Sequence, residues 1–469
     1  MKYYAAIDLG ASSGRVAVGG VDNGKISFEI VHRFANTPIL GSHGSVHWSW
    51  ERLMGDVLAG LEIAASKYSI TSVGVDAWAV DYLLFDREGL QSAPLYSYRD
   101  SRTDGVMDEV IRKFGRKEIY SRTGIQFLPF NSIYQFLSAN RIGELDGAKN
   151  FLMLPDAINY MLCGSTSNEI TNASTTQLLD PYTRSWNLDL VEKLGLPKEL
   201  FPVLHEAKSI LGVVDIPTNA KGVKVVAVGS HDTASAVAGT PLSTPESQIF
   251  ISSGTWSLIG CEITEPITTE AAMNSNLTNE LGVEGTVRLL KNVSGMWIIS
   301  ELLREWNSLG DSVTVDDIVK AASESPPRRT LFDPNDSRFM APGPMSDRIA
   351  RVAGESNQPV PEGRGQFARA VYESLALSYS RVIEELEIAT GKVFTSICIV
   401  GGGSANHFLN QVTANVTGLK VQAGPVEATL MGNIGVQAMA EGEISSLAEL
   451  RGIVASSDAL KLFLPKDDT

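Results

Sequence analysis

The stretch Asp8-Leu9-Gly10-Ala11-Ser12-Ser13-Gly14-Arg15 sets a carboxylate, two hydroxyls and a guanidinium around small residues. Small residues let backbone N–H groups close on an anion, and serine hydroxyls add donors, so the stretch reads as a phosphate turn. Asp8 then suits the waters of a hydrated Mg²⁺ better than the phosphates themselves. A plain glycine-rich hairpin turn accounts for the stretch as well. Its Gly10-Ala11-Ser12-Ser13-Gly14 core also matches G-x-S-x-G. A nucleophile elbow must run straight into a helix, however, and the residues that follow alternate as a strand.

His231-Asp232-Thr233 follows the β-branched run Lys224–Val228. Phosphoryl transfer to a sugar hydroxyl needs a carboxylate to take the proton as the phosphoryl moves in line, and an Asp at a strand end can supply it. The same Asp suits the cap of a helix over Thr233–Ala238. His231 reads as a cleft-lining imidazole making one hydrogen bond. Asp76-Ala77-Trp78-Ala79-Val80-Asp81 and Tyr98-Arg99-Asp100-Ser101-Arg102 join aromatic faces to charged groups. That pairing suits a sugar's C–H face and hydroxyls, and core tryptophans and surface ion pairs explain each cluster singly.

The elements that must position these residues follow from the apolar pattern. Tyr4–Leu9 and Arg15–Val21 read as strands. Asp22-Asn23-Gly24 is a hairpin turn, and Lys25–Val31 alternates with Ile26, Phe28 and Ile30 on one face. Residues 51–66 form an amphipathic helix before the strand Ile70–Val75. Further helices are expected near 104–114, 129–139, 155–162 and 188–194. Thr240-Pro241-Leu242-Ser243-Thr244-Pro245 is the best linker in the middle of the chain. Gln248–Ser252, the turn Ser253-Gly254-Thr255 and Trp256–Ile263 then repeat the opening theme, which points to an old duplication. Gln366–Thr390 carries apolar residues at helical spacing, and the run Phe394–Val400 opens into Gly401-Gly402-Gly403.

Three glycine-rich turns after apolar strands, with no Gly-Lys-Ser/Thr of a P-loop, suggest a nucleotide held by backbone turns between two domains. This is the α/β, two-domain actin-like ATPase (ribonuclease H-like) architecture. The 469 residues exceed one core, so domains are expected at 1–239 and 240–469. A net charge of −15 argues against nucleic acid as a partner. No apolar run is long enough for a membrane span. The N-terminal residues read as a buried strand, not a signal peptide, and the expectation is a cytoplasmic protein, a monomer or weak homodimer. Cys163, Cys261 and Cys398 lie too far apart for a zinc pattern or a disulfide framework and read as buried thiols.

Several longer stretches carry a specific resemblance. They are the 8–16 turn, Tyr98–Thr103, Gly124-Ile125-Gln126-Phe127-Leu128-Pro129-Phe130-Asn131 and Ser230–Ala236, then Ser252–Leu258, Leu290-Lys291-Asn292 and Gly424-Pro425-Val426-Glu427-Ala428. Over residues 4–460 the chain resembles the FGGY carbohydrate kinases, and within them those acting on L-rhamnulose. The resemblance implies transfer of the γ-phosphoryl of ATP, with Mg²⁺, to the sugar's C1 hydroxyl. It makes Asp232 the proton acceptor and, with Asp8 acting through water, a holder of the metal. It places Ala79, His231, Thr233 and Asn292 with Asp232 at the sugar. Ala11, Ser12, Ser13, Gly14, Arg15, Thr255, Ser300 and Gly402 are placed at the nucleotide. Two positions depart from the family pattern: Ala79 stands where a sugar-contacting Gly is usual, and Ser300 where a nucleotide-contacting Gln is usual. The rivals are a kinase of another ketose (L-fuculose or L-xylulose), an actin- or chaperone-type ATPase, and a sugar sensor without catalysis.

Overall fold

The computed structural model describes residues 1–41, 44–310 and 312–466. In chain order the opening elements are strands β1 (Tyr3–Leu9), β2 (Ser13–Asp22) and β3 (Lys25–Ala35), helix α1 (Trp50–Lys67) and strand β4 (Ile70–Ala77). Strands β5 (Ile210–Val213) and β6 (Lys224–Val226) and helix α2 (Asp232–Ala238) follow. Later come β7 (Gln248–Ser253), β8 (Trp256–Ile263), β9 (Thr278–Leu281) and β10 (Val287–Ser294). The chain continues with α3 (Trp297–Ser308), α4 (Gly363–Thr390), β11 (Ser396–Val400), β12 (Lys420–Ala423), α5 (Ala428–Ala440) and β13 (Lys461–Phe463). The chain divides into two units. The first comprises Met1–Ser243, Glu262–Leu289 and Ala428–Asp458; the second takes Thr244–Cys261, Leu290–Glu427 and the residues from Ala459 on.

The first unit is built on a sheet of order β5-β6-β4-β1-β2-β3. The β2–β3 hairpin closes at Asp22↔Lys25, with Asn23 and Gly24 in the left-handed region that such a two-residue turn requires. β4 runs parallel to β1, and β6 parallel to β4. Alternation along β1 sends Ala5, Ile7 and Leu9 to one face, where they meet Leu53, Val57 and Leu61 of α1. Tyr4 and Ala6 go to the other face and meet Leu430, Met431 and Ile434 of α5. Both faces of the sheet are therefore covered, as a sheet with parallel strands demands.

The second unit repeats this plan. β7 and β8 form an antiparallel hairpin, β11 runs parallel to β7, and β12 parallel to β11. Counted within each unit, the core strands run third, second, first, fourth, fifth in both sheets, which is the duplicated arrangement expected of the actin-like architecture. The chain first passes from one unit to the other between Ser243 and Thr244, and it returns to the first unit for Glu262–Leu289 and Ala428–Asp458. Two details differ from the sequence reading. The run at Lys224 leaves the ladder after Val226, because Ala227 pairs instead with Ser209 and Lys208. The helix Arg116–Thr123 was not expected; Gly115 (φ 81) breaks the chain just after the helix Val106–Phe114. Cys261 and Cys398 are buried thiols, and Cys163 is only half-buried. No described helix is long and apolar enough to cross a membrane.

Helix α2 is seated on α5 through bare backbone. A methyl group on Gly432 would lie 1.8 Å from the carbonyl oxygen of Ser235, and one on Gly239 would lie 2.1 Å from that of Ala428. We expect Gly432→Ala to force the two helices apart and to destabilise the protein by about 1–3 kcal/mol. Urea unfolding tests this, and an unchanged midpoint would show that the contact yields freely.

Candidate active site

Three carboxylates stand at the carboxyl ends of neighbouring parallel strands. Asp8, near the end of β1, is in register with Asp76, near the end of β4. Asp232 follows β6, where Ala77 bridges His231 and the Ala77 N–H donates to the Ser230 carbonyl at 2.9 Å. The carboxyl ends of parallel strands are where open α/β sheets gather their ligands. Arg15, paired with Asp8 across the β1–β2 hairpin, brings Nε and Nη2 to Oδ2 of Asp8 at 2.9 and 2.6 Å. Asp76 is fully buried; its Oδ2 accepts from Nδ2 of Asn433 at 2.6 Å, while Oδ1 has no hydrogen-bond partner. Burial raises the Asp76 carboxyl well above the usual range, and the charges of Asp8 and Asp232 raise it further. Among the described residues no three His, Cys, Asp or Glu side chains close into a direct metal cage.

The segment carrying Asp232 is held from beneath by Glu169. Oε2 of Glu169 accepts from the N–H and the hydroxyl of Ser230 at 3.0 and 2.8 Å, and from the N–H and hydroxyl of Thr171. The Thr171 hydroxyl in turn accepts from the His231 N–H at 3.2 Å. Burial pushes the Glu169 carboxyl up to about 7 against these donors. With its backbone so fixed, His231 takes the N-cap position and Asp232 opens the first turn of α2, so Asp232 is not the helix cap. Oδ1 of Asp232 accepts from the Thr233 hydroxyl at 3.2 Å and lies 3.4 Å from Nε2 of His231. Its side chain is 31% exposed, so this carboxylate, unlike Asp76, meets solvent. Burial raises its carboxyl, and His231, Thr233 and Arg288 pull it back down. The single hydrogen bond expected of His231 is also too few, since Glu280 and Arg288 lie within 3.3 Å of its Nδ1.

Glu169, Glu280 and Arg288 were missed by sequence reasoning. Arg288 alone left a signal: a charge inside the apolar run Val287-Arg288-Leu289-Leu290 must be paired if that run is a buried strand. Ala79 follows β4 in a half-buried loop, but the left-handed backbone falls on Val80 (φ 68), so nothing in the chain's course there requires Gly at 79. The clustered carboxylates beside it turn inward. Oδ2 of Asp81 accepts from the indole N–H groups of Trp48 and Trp78 at 2.7 and 2.8 Å, and Asp100 accepts from the N–H of Val46 at 2.6 Å. These acids organise loops, and the aromatic rings of Trp48 and Trp78 pack on one another with centroids 4.7 Å apart.

In the 10–15 turn, Gly10 N–H bonds the Ser13 carbonyl and the chain continues as strand, without the helix that a nucleophile elbow needs. Ser12 and Ser13 are exposed and Ala11 half-buried, while Gly14 is buried where a methyl group would sit 2.2 Å from the ring of Phe34. The first unit thus holds Asp8, Ala11 to Arg15, Ala79, His231, Asp232 and Thr233. The second holds Asn292, Thr255, Ser300 and Gly402. There the carbonyl of Thr255 accepts from the N–H groups of Gly295 and Trp297, joining the β7–β8 turn to the start of α3. Ser300 is exposed on α3, its hydroxyl bonded to the Met296 carbonyl, and Gly402 is exposed just after β11. Close approach falls on Gly403, where a methyl group would sit 2.0 Å from the Ser253 hydroxyl.

Residues 3–239 match the N-terminal domain model of the FGGY family of carbohydrate kinases, and residues 249–441 match its C-terminal domain model. The chain belongs to the FGGY family of carbohydrate kinases. It is therefore an enzyme, a sugar kinase with ATP as co-substrate. A rhamnulokinase of Mannheimia succiniciproducens is 42% identical over 464 residues, covering 98% of this chain and 94% of that protein. A rhamnulokinase of Bacillus subtilis is 39% identical over 473 residues, covering 99% and 96%. Among solved structures, a ligand-bound xylulose kinase from Lactobacillus acidophilus matches with TM-score 0.82 at 17% identity, covering 99% of this chain and 94% of that one. Plasmodium falciparum glycerol kinase with ADP matches with TM-score 0.77 at 17% identity, covering 100% and 95%. At such identities the two structures speak for the FGGY fold alone.

Asp81 supplies a pH test of this architecture. Burial outweighs its four donors and pushes its carboxyl up to about 6. A raised acid keeps its proton in the folded state after the unfolded chain has lost it. Its stabilising contribution is therefore present below about pH 4 and is lost as the pH rises through 6. In Asp81→Asn that dependence is absent. The stability of the wild type relative to the variant should fall across this window and level off above it in thermal melts. A parallel pair of profiles would show that folding leaves the Asp81 carboxyl at its ordinary pKa.

Proposed function

We propose that the chain phosphorylates L-rhamnulose, transferring the γ-phosphoryl of ATP to the C1 hydroxyl to give L-rhamnulose 1-phosphate and ADP. One observation carries the catalytic part: a solvent-reaching carboxylate, Asp232, on a rigidly clamped helix start among the strand ends that carry Asp8 and Asp76. The full-length similarity to rhamnulokinases of several bacteria supports the sugar. In this reading the C1 oxygen attacks the γ-phosphorus, its proton passes to the Asp232 carboxylate, and the bond to ADP breaks on the opposite side. His231, Thr233, Ala79 and Asn292 line the sugar. Ala11, Ser12, Ser13, Gly14, Arg15, Thr255, Ser300 and Gly402 serve the nucleotide. The domain division at 1–239 and 240–469 belongs to the same proposal, supported by family-model matches that end at 239 and begin again at 249.

Mg²⁺ fits the acidic strand ends. The partnerless Oδ1 of buried Asp76 and the mutual repulsion it feels from Asp8 and Asp232 are the marks of a place suited to a cation. Asp8 would hold it through water and Asp232 directly, and when bound it would neutralise charge on the transferring phosphates. Arg15 meanwhile holds Asp8 in place through two hydrogen bonds to Oδ2. Ala79 favours a second reading, a kinase of another ketose such as L-fuculose or L-xylulose, because its methyl group adds bulk where the family pattern has none.

The test is ADP release with ATP and Mg²⁺ across L-rhamnulose, L-fuculose, L-xylulose, D-xylulose, L-ribulose and no sugar. L-rhamnulose should lead the panel by kcat/KM; a different leader would move the specificity to the second reading. Asp232→Asn should lose about 10²–10⁴-fold in kcat while ATP binding is retained. A kcat within about threefold of wild type would end the proton-acceptor role.

A further inference from the structure

Tyr379 of α4 is wholly buried, and its hydroxyl lies 2.8 Å from that of Ser257, itself wholly buried near the start of β8. Ser257 stands opposite Ser253 across the β7–β8 hairpin, and directly opposed residues of an antiparallel pair put their side chains on one face. Burial raises the Tyr379 phenol above its usual pKa, and the Ser257 and Ser253 hydroxyls pull it back, so the phenol meets both arms of the hairpin. Between the two serines runs the turn Gly254-Thr255-Trp256, with Gly254 exposed and Thr255 half-buried. The tip of that turn is held separately. The Gly254 carbonyl accepts from the Met296 N–H, and the Thr255 carbonyl from those of Gly295 and Trp297. Ser253 has a second neighbour in the glycine turn after β11. A methyl group on Gly401 would sit 2.9 Å from the Ser253 carbonyl oxygen, and one on Gly403 2.0 Å from the Ser253 hydroxyl, so that turn rests on Ser253.

Tyr379 shares a helix face with Leu375, Val382 and Leu386, all buried, and a phenyl ring would fill that space equally. What the hydroxyl adds is a directional bond, which fixes distance and angle where apolar packing fixes only volume. We propose that Tyr379 is a positioning residue for ATP, its hydroxyl pinning the base of the β7–β8 hairpin and, through Ser253, the glycine turn. Thr255 and Gly402 are then presented to the nucleotide in one fixed arrangement. Tyr379 and Ser257 are closed to solvent, so neither touches a substrate, and their effect passes through the backbone of the two turns. The inference rests on the proposed roles of Thr255 and Gly402 at the nucleotide.

Steady-state kinetics of the full-length enzyme, with the ketose that leads the panel, test this. In Tyr379→Phe the KM for ATP should rise about 3–10-fold, the scale of one lost buried hydrogen bond. The KM for the ketose should stay within about twofold of wild type. Ser257→Ala, which removes the bond from the other side, should show the same split. A merely structural role is separated by combining the two substitutions. The double variant leaves neither hydroxyl of the couple unpaired, so its urea midpoint should recover relative to Tyr379→Phe. Its KM for ATP should nevertheless stay as high as in the single variants. A double variant that regains the wild-type KM for ATP overturns the proposal. So does a folded Tyr379→Phe or Ser257→Ala whose KM for ATP is raised less than about threefold. Failure of the underlying reading looks different: Thr255→Ala would then leave the KM for ATP unchanged. A raised KM in Thr255→Ala beside an ordinary one in Tyr379→Phe would sink this inference alone.

Discussion

Two carboxylates abreast on neighbouring parallel strands set the terms for the rest of the first unit. Like charges side by side in a dry sheet end are costly, and Asp8 and Asp76 share one register. The cost is met from both sides. Arg15 reaches back from the antiparallel neighbour to Asp8, and Asn433 of α5 donates to Asp76. Gln437, one turn on, bonds the Asn433 amide and the Ala5 carbonyl and accepts from Ser72, so α5 is tied to β1 and β4 by a buried ladder of amides. That ladder admits no side chain at Gly74, where a methyl group would meet Asn433 and Gln437 within 2.9 Å. It also explains why a helix starting at residue 428 packs with the opening strands.

A division of labour among acids follows. Asp76, Asp81, Asp156 and Glu169 are buried, are raised toward the neutral form, and bond backbone or amides. Each spends at least one oxygen on holding a loop or a strand. Asp232 differs in keeping part of its carboxylate in contact with water on a backbone that Glu169 has immobilised. A general base needs both properties, since it must exchange its proton with solvent yet stay in line with the substrate.

The second unit uses the same strand order with different chemistry at the equivalent strand end. Where β1 carries Asp8, β7 ends in Ser252 and Ser253, and its neighbouring strand β11 opens into the Gly401–Gly403 turn. Neutral hydroxyls and bare N–H groups meet a phosphate or a nucleotide without adding negative charge. One scaffold therefore serves an acidic end in the first unit and a neutral one in the second.

The hairpin from β1 to β3, helix α1, α4 and the repeated plan of the second half were legible in the sequence, because period and turn chemistry are local properties. So were the residues that could do chemistry, since Asp8, Asp232 and the glycine turns stand in distinctive short motifs. Which of those acids keep contact with solvent and which are taken up in holding loops was not legible. Asp81 and Asp100 look like sugar ligands in a string of letters and prove to be loop anchors, because their surroundings come from residues dozens of positions away. His231 seemed to need one partner, and it has Glu280 and Arg288 behind it, brought there by β9 and β10. By itself the sequence determined the strands, the turns and the candidate groups, through pattern and local stereochemistry. Only the tertiary structure decided their burial, their partners and hence their charge, because desolvation and Coulomb energy depend on distance in space and not along the chain.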